Sequence, residues 1–295
     1  MDGVLLIDKP RGLTSHDVVA RVRKLVNQRE VGHTGTLDPL ATGLLALVLG
    51  RATRIASLLT ARSKTYEATV CLGVSTDTDD ADGQPTERRS SLPDERTVRA
   101  AIEGFRGAYS QLPPSHSAKK VGGLKAYELA RQAQPVALAP VSVNVDALEV
   151  TGIDGPAVTL TMTVSSGFYV RALARDLGAM LGCGGHLTAL RRTAAGAFAV
   201  GDALQLDEAE RLGQGVSDRV ISAADALAEL PSVRVTPPGL KRTLHGNDLS
   251  PEHLLEVLVT GASLASRVRV LADDGRLVAL AEARAGVLHP VIVLG

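Results

Sequence analysis

The sequence predicts an α+β protein in two parts, a larger mixed part and a smaller β-rich part at its C-terminal end. Three observations carry this. Apolar runs of strand length are interspersed with segments of helical spacing over the first 200 residues. Two turn signals, Asp154-Gly155 and Asp273-Asp274-Gly275, are each flanked by alternating apolar residues, as in hairpins. Beyond Pro231 the chain becomes Val-rich and strand-like. A length of 295 residues suits one large domain plus a small one.

Gly3 to Ile7 reads as a buried strand, ended by Lys9-Pro10-Arg11-Gly12. Ser15 can cap the helix whose apolar side is Val18, Val19, Val22, Leu25 and Val26; Arg21 and Lys24 fall on its polar side. A glycine-rich loop, GHTGTLDPLATG, runs from Gly32 to Gly43 and leads into a second buried strand, Leu44 to Leu49. Thr65 to Leu72 alternates as a strand, TDTDDADGQ is a polar loop, and Pro93 to Phe105 is a short helix. Residues 111–125, QLPPSHSAKKVGGLK, form a long basic loop, and Tyr127 to Arg131 is helical. Ala147–Thr151 and Val158–Val164 are the arms of the first hairpin. A helix on Leu173, Ala174, Leu177 and Leu181 follows Gly167. Asp202 to Glu229 is acidic and helical, and Pro231 marks a boundary between residues 1–230 and 231–295. In the second part Val268, Val270, Val278 and Leu280 flank the other turn.

Only 7 of the 295 residues are aromatic, so the core must be built from Val, Leu, Ala and Ile. The two cysteines, Cys71 and Cys183, lack zinc-type spacing and read as free thiols of a reducing compartment, which predicts a cytoplasmic protein. The N-terminus lacks a signal-peptide pattern, and no apolar stretch reaches membrane-spanning length. Net charge is zero, but it is unevenly spread. Residues 1–66 hold ten Lys or Arg against five acids, residues 104–135 five against one, and residues 165–196 four against one. Folded together, these segments make one positive face for phosphates; left apart, they are ordinary solvated surface.

Asp38 precedes Pro39, which pushes it out of helical geometry. A lone loop Asp is commonly a turn residue. This one sits in a glycine-rich loop beside His33, Thr34 and Thr36. No Gly-Lys-Ser/Thr closes the loop, so it is not a P-loop. In SSGFYVRALARDLG, residues 168–171 read as extended would put Tyr169 and Arg171 on one face, a phenol beside a guanidinium. The plain alternative is a strand end with a surface Arg. TDTDDADG fails the calcium-loop register, because alignment on Gly83 puts Thr78 first and Arg89 last, and it reads as a solvated turn. Tyr66 could stack on an unpaired base or simply fill the core.

Five motifs and an insertion together resemble the tRNA pseudouridine-55 synthase family. GVLLIDKPRGLTSHDVV resembles its N-terminal motif and GHTGTLDPLATGLL its catalytic aspartate motif. KTYEATVCLG followed by DTDDADG resembles its tyrosine motif. SSGFYVRALARDLG and HLTALRRTAAGAF resemble its last two motifs, and PPSHSAKKVGGLKAYELAR resembles its RNA-gripping insertion. The resemblance covers about residues 3–200. It implies the pseudouridine synthase fold, a mixed, mainly antiparallel sheet with flanking helices, over residues 1–230. The insertion would lie at about 111–135, and residues 231–295 would form a small PUA-like RNA-binding domain.

The activity it implies is isomerisation of uridine 55 in the T-arm loop of tRNA. The uracil N1–C1′ bond breaks, the base turns, and C5 joins C1′. No cofactor or metal is expected, in keeping with a sequence that has no dinucleotide fingerprint, P-loop or metal cluster. The residues matching the family's site are Asp38 as the catalytic carboxylate, Arg171 as its partner and Tyr169 at the base. Asp38 could attack C1′, add to the base or remove a sugar proton. His33 would fill the gap left by the flipped uridine, Tyr66 would stack on it and Leu190 would wall the pocket. Lys9, Lys64, Lys119, Lys120 and Lys125 would hold phosphates. The expected partner is the T-arm stem-loop. No membrane and no obligatory protein partner are expected, and a monomer is. A non-catalytic RNA-binding or RNA-folding protein on this scaffold is the main rival; the intact set Asp38, Tyr66, Tyr169 and Arg171 argues against it. A guide-RNA-dependent subunit would carry long basic tails.

Overall fold

Two strands in the middle of the protein are apolar along nearly their whole length, and from them the protein builds two cores. Strand β1 (Gly3–Lys9) pairs antiparallel with β3 (Thr42–Leu49), which also carries β2 (Val31–His33). Alternate side chains of a strand face opposite ways. Leu5 and Ile7 with Leu45, Leu47 and Leu49 therefore enter one apolar cluster, and Val4 and Leu6 with Leu44, Ala46 and Val48 enter another. An unbroken apolar run is what a strand covered on both faces requires.

The computed structural model describes residues 1–115, 120–121, 124–125, 138–258 and 267–295. Around β1 and β3 a ten-stranded sheet is assembled from β4 (Lys64–Leu72), β7 (Gly107–Gln111), β10 (Val141–Asp154), β11 (Ala157–Val164), β12 (Gly185–Ala195), β13 (Phe198–Ala199) and β14 (Leu204–Gln205). Its main path runs β14-β1-β3-β12-β4-β11-β10-β7. Pairs β1–β14 and β3–β12 are parallel and the others antiparallel. Between β4 and β7 lie a hairpin, β5 (Val74–Thr76) with β6 (Pro85–Arg88), and a helix, Glu95–Glu103. The two-residue strands β8 (Lys120–Val121) and β9 (Leu124–Lys125) pair with each other; the rest of the 116–137 stretch, with Lys119 and the helix expected over Tyr127–Arg131, lies outside the described residues. The fold is the mixed, mainly antiparallel α+β arrangement that the sequence predicts.

Helix α1 (Ser15–Leu25) covers the first core with Val18, Val19 and Val22. Its cap is Thr14, whose hydroxyl accepts from the Asp17 N–H while Asp17 accepts from the Thr14 backbone. Ser15, expected to cap, is one residue too late; its buried hydroxyl is used elsewhere. Val170–Met180 is also helical, so Arg171 lies in a first helical turn and not on a strand. Tyr169, at the N-cap, keeps extended geometry. This helix packs closely on the turn before β12. A Cβ at Gly178 would lie 2.2 Å from the backbone of Gly184 and Gly185. Gly178→Ala must therefore lift the helix, and we expect it to lower the melting temperature by about 8 °C or more; a shift under 2 °C would show that the contact relaxes freely. The stretch Asp202–Glu229 is helical only in short pieces, Leu206–Leu212, Gly213–Arg219 and Asp225–Leu227.

The C-terminal part is a five-stranded sheet of β15 (Ser232–Val235), β16 (Leu254–Leu258), β17 (Val268–Leu271), β18 (Leu277–Arg284) and β19 (Val287–Val293), in the order β16-β15-β17-β18-β19. It is not isolated from the large sheet. Leu271, Leu277, Leu280 and Leu294 join the cluster formed by the second face of β1 and β3. Arg269 donates to the carbonyls of Leu230, Ala224 and Ala228. The β-rich pattern alone suggests a unit whose loss leaves the main core closed. The shared cluster argues otherwise, because a chain ending near Pro231 removes Leu271, Leu277, Leu280 and Leu294 from the cover of one face of β1 and β3. We expect that shortened chain to bind a hydrophobic dye and to melt at least about 10 °C lower than the full chain. Equal melting temperatures would mean that the two parts fold separately.

Candidate active site

The loop between β2 and β3 carries Asp38, and it is fixed on both sides by the turn after β1 and the first residue of α1. The Ser15 hydroxyl accepts from the Leu37 N–H at 2.7 Å and donates to the Leu37 carbonyl at 3.0 Å. The Gly12 N–H donates to the Pro39 carbonyl at 2.8 Å. The Asp38 backbone carbonyl accepts from the Ala41 N–H at 3.1 Å. The residues before and after the carboxylate are thus tied to a segment more than 20 residues upstream.

Asp38 opens on a cavity of about 340 Å³. Residues 35–38 form one wall; Thr60, the β4 residues Lys64 and Tyr66, residues 165–171, and Leu190 and Arg192 of β12 form the rest. Arg171 Nε lies 2.9 Å from Asp38 Oδ2 and 3.6 Å from Asp80 Oδ2. The Arg171 side chain is 7% exposed and that of Asp38 38%, so the carboxylate is reachable while its partner is not. A second acid holds the guanidinium from behind. Asp80 is buried and accepts from the Thr78 hydroxyl at 2.6 Å and the Asp82 N–H at 3.1 Å; Arg171 Nη1 donates to the Thr78 carbonyl at 2.9 Å. TDTDDADG is therefore not the solvated turn expected of it. It folds inward and supplies acceptors to Arg171 and, through Asp79 at 3.1 Å, to Arg175. Burial raises the Asp79 pKa, against the pull of Arg175 and Arg171.

Tyr169 is gripped at its backbone. The fully buried Gln111 side chain accepts from the Tyr169 N–H at 2.8 Å and donates to its carbonyl at 3.1 Å. Tyr66 is buried in the strand opposite Arg192 and Met162. The structure thus gathers Asp38, Arg171, Tyr169, Tyr66 and Leu190 around one cavity. His33 is half-buried in β2, with its Nδ1 accepting from the Gly35 N–H at 3.3 Å, and is not among the cavity's lining residues. Burial lowers its pKa, helped by Arg192 and His16.

The lysines depart most from expectation. Lys9 has no exposed surface; it donates to the carbonyls of Pro10 at 2.9 Å and Leu13 at 2.6 Å. Burial lowers its pKa to about 8, with Asp38 opposing and Arg192 adding. It braces the 10–15 segment and reaches no external phosphate. Lys64 is 7% exposed and donates into the carbonyls of Thr60 and Arg62 inside the cavity, not on an outer face. Lys119 lies outside the described residues, and of Lys120 and Lys125 only the backbone pairing is described.

Four residues of the site went unread in the sequence: Ser15 as a clamp, Asp80, Gln111 and Arg192. Arg192 is buried and donates to the carbonyls of Leu44 at 2.7 Å and Gly35 at 3.1 Å. Strand alternation offered a signal, since residues 190 and 192 share a face. Among the described residues no group of three or more His, Cys, Asp or Glu is arranged to hold a metal, and no helix is long and apolar enough to cross a membrane.

Residues 23–170 match the family described as TruB family pseudouridylate synthase (N terminal domain), and residues 171–226 match the tRNA pseudouridylate synthase B C-terminal domain. The chain is 45% identical to a tRNA pseudouridine synthase B of Thermobifida fusca, over 99% of this chain and 98% of that one. It is 42% identical to the protein of that description from Geobacter sulfurreducens, over 97% and 95%. In fold it resembles a chain from the crystal structure of a Cbf5–Nop10–Gar1 complex, with a TM-score of 0.76 and 26% identity over 99% of this chain and 85% of that chain.

Proposed function

The chain belongs to the TruB family of pseudouridylate synthases, and from that membership we propose that it converts uridine to pseudouridine in tRNA, at position 55 of the T-arm loop. The observation that carries the reading is the half-exposed Asp38 carboxylate, paired at 2.9 Å with a buried Arg171 at the wall of a nucleotide-sized cavity.

The reaction is an isomerisation without redox change. It needs an ionised carboxylate near the ribose, a flat surface for the flipped base, and a group to receive the C5 proton after C5 joins C1′. Asp38 is the carboxylate. The guanidinium beside it, 2.9 Å away, fixes the direction of Oδ2. Tyr66 provides the stacking surface, Leu190 the side wall and Tyr169 the contact at the base. A uridine in a folded loop must leave its stack to reach this cavity, at a cost of a few kcal/mol. The stem-loop partner, a cytoplasmic location and an RNA-binding role for the C-terminal sheet belong to the same proposal.

Tritium release from tRNA labelled at uridine C5 tests it, because C5 gives up its proton only when it has joined C1′. Release from one uridine per tRNA, lost when uridine 55 is replaced by cytidine, is the expected result. RNA binding without release would favour a non-catalytic protein on this scaffold.

A further inference from the structure

Arg171 is compensated by two acids, but the cavity's other two cations are not. Lys64 and Arg192 are 7% and 3% exposed, and among the described residues neither has a carboxylate within ion-pair distance. Their neutral partners are backbone carbonyls, those of Thr60 and Arg62 for Lys64 and those of Leu44 and Gly35 for Arg192. Each charge also acts unfavourably on the other: burial lowers the Lys64 pKa to about 8, and Arg192 pushes it the same way. Two like charges in a low-dielectric wall are costly unless an anion joins them.

The space for that anion lies beside Gly35. A Cβ built there would sit 3.3 Å from Arg192 Nη1 and 3.9 Å from Lys64 Cε. Both cations therefore border one small volume that the glycine leaves open, on the wall that continues to Asp38. An ammonium donates three N–H bonds and Lys64 uses two on carbonyls; a guanidinium donates five. Donors remain for a ligand oxygen. The cavity's charged lining is Asp38, Lys64, Arg171 and Arg192. With Arg171 offset by Asp38 and Asp80, the surplus positive charge falls at the Lys64–Arg192 end.

We propose that Lys64 and Arg192, with Gly35 leaving room between them, form an anion subsite that takes a backbone phosphate adjoining the flipped nucleotide. This rests on the tRNA-uridine reading above. The phosphate anchors the nucleotide at one end of the cavity while the ribose meets Asp38, so the contact is made only when the base is out of its stack. It differs from surface lysines that track the outer backbone, because no phosphate of a fully stacked loop can reach a side chain this deeply buried.

The test uses the full chain and T-arm stem-loops carrying one neutral methylphosphonate at a time, within two nucleotides of the target uridine. Tritium release gives kcat/KM for the wild type, Lys64→Met and Lys64→Arg. The subsite predicts one position at which neutralisation costs the wild type about tenfold or more. At that position Lys64→Met, which has already lost the charge, should be affected less than about threefold, and Lys64→Arg should regain most of the sensitivity. A penalty that is the same in the wild type and Lys64→Met at every position overturns the proposal. If Lys64→Met does not fold, the wild-type scan decides alone: the absence of any position with more than a threefold effect overturns it. No release by the wild type from the unmodified stem-loop would instead refute the reading on which the subsite rests.

Discussion

Asp38→Asn should abolish turnover, by at least about 10⁴-fold, while RNA affinity stays within about threefold of wild type. The substitution changes one oxygen to an amide nitrogen and hardly alters volume. Its neighbours are held by backbone bonds through Leu37 and Pro39, which do not involve the carboxylate, so the loop keeps its shape. What is lost is a negative charge aimed into the cavity and the ion pair with Arg171. The amide can offer its donor to Arg171 only unfavourably, because a guanidinium accepts no hydrogen bond. Single-turnover tritium release measures the rate and filter binding the affinity. Residual turnover above a few per cent would remove Asp38 from the chemistry.

Arg171→Met should be costly twice over. It strands Asp80, a carboxylate that is 8% exposed on its side chain, without a cation, and removal of one member of a buried pair costs about 3–5 kcal/mol. It also frees the Asp38 carboxylate from the group that orients it, for an expected fall in turnover of about 10²–10³-fold. The second variant Arg171→Met/Asp80→Asn separates the two effects. It removes the stranded charge, so denaturant unfolding should recover most of the lost stability while the rate stays low. Recovery of both together would mean that Arg171 is only structural. Methionine matches the stem of arginine, so little cavity term enters.

The readable parts of this protein were those where one periodicity governs. β1 and β3 announced themselves as unbroken apolar runs because both faces are covered. The two Asp-containing turns read as hairpins because alternating apolar residues flank them, and the strands they join pair as expected. The motifs single out Asp38, Tyr169 and Arg171 as candidates but do not give their geometry. By alternation alone FYVRA reads as a strand end, whereas helical packing of Leu173, Ala174 and Leu177 on the first core draws Val170 onward into a helix. The acidic loop looked solvated since its partners, Arg171 and Arg175, lie more than 90 residues away. Lysine burial was equally invisible. Lys9 and Lys64 look like surface residues until the carbonyls that satisfy them, at Leu13 and at Thr60, are folded around them. Gln111 carried no local signal, because its function is to match the backbone of a residue 58 positions on.

The fastening of the Asp38 loop also sets when a growing chain can become an enzyme. Ser15 and Gly12 precede the loop and can engage it as soon as it is made. Arg192, which closes it from below through the Gly35 carbonyl, comes 157 residues later. At roughly 5–20 residues per second of synthesis, that interval is roughly 8–30 s. For all of it β3 lacks its parallel neighbour β12, and for most of it Asp38 faces solvent without Arg171. The carboxylate is then an ordinary acid on an unfinished sheet, harmless to any RNA nearby. On the proposed function, competence comes late, with the strand that joins β3 to β4, and a chain ending before it lacks the arginine that holds the Gly35 carbonyl.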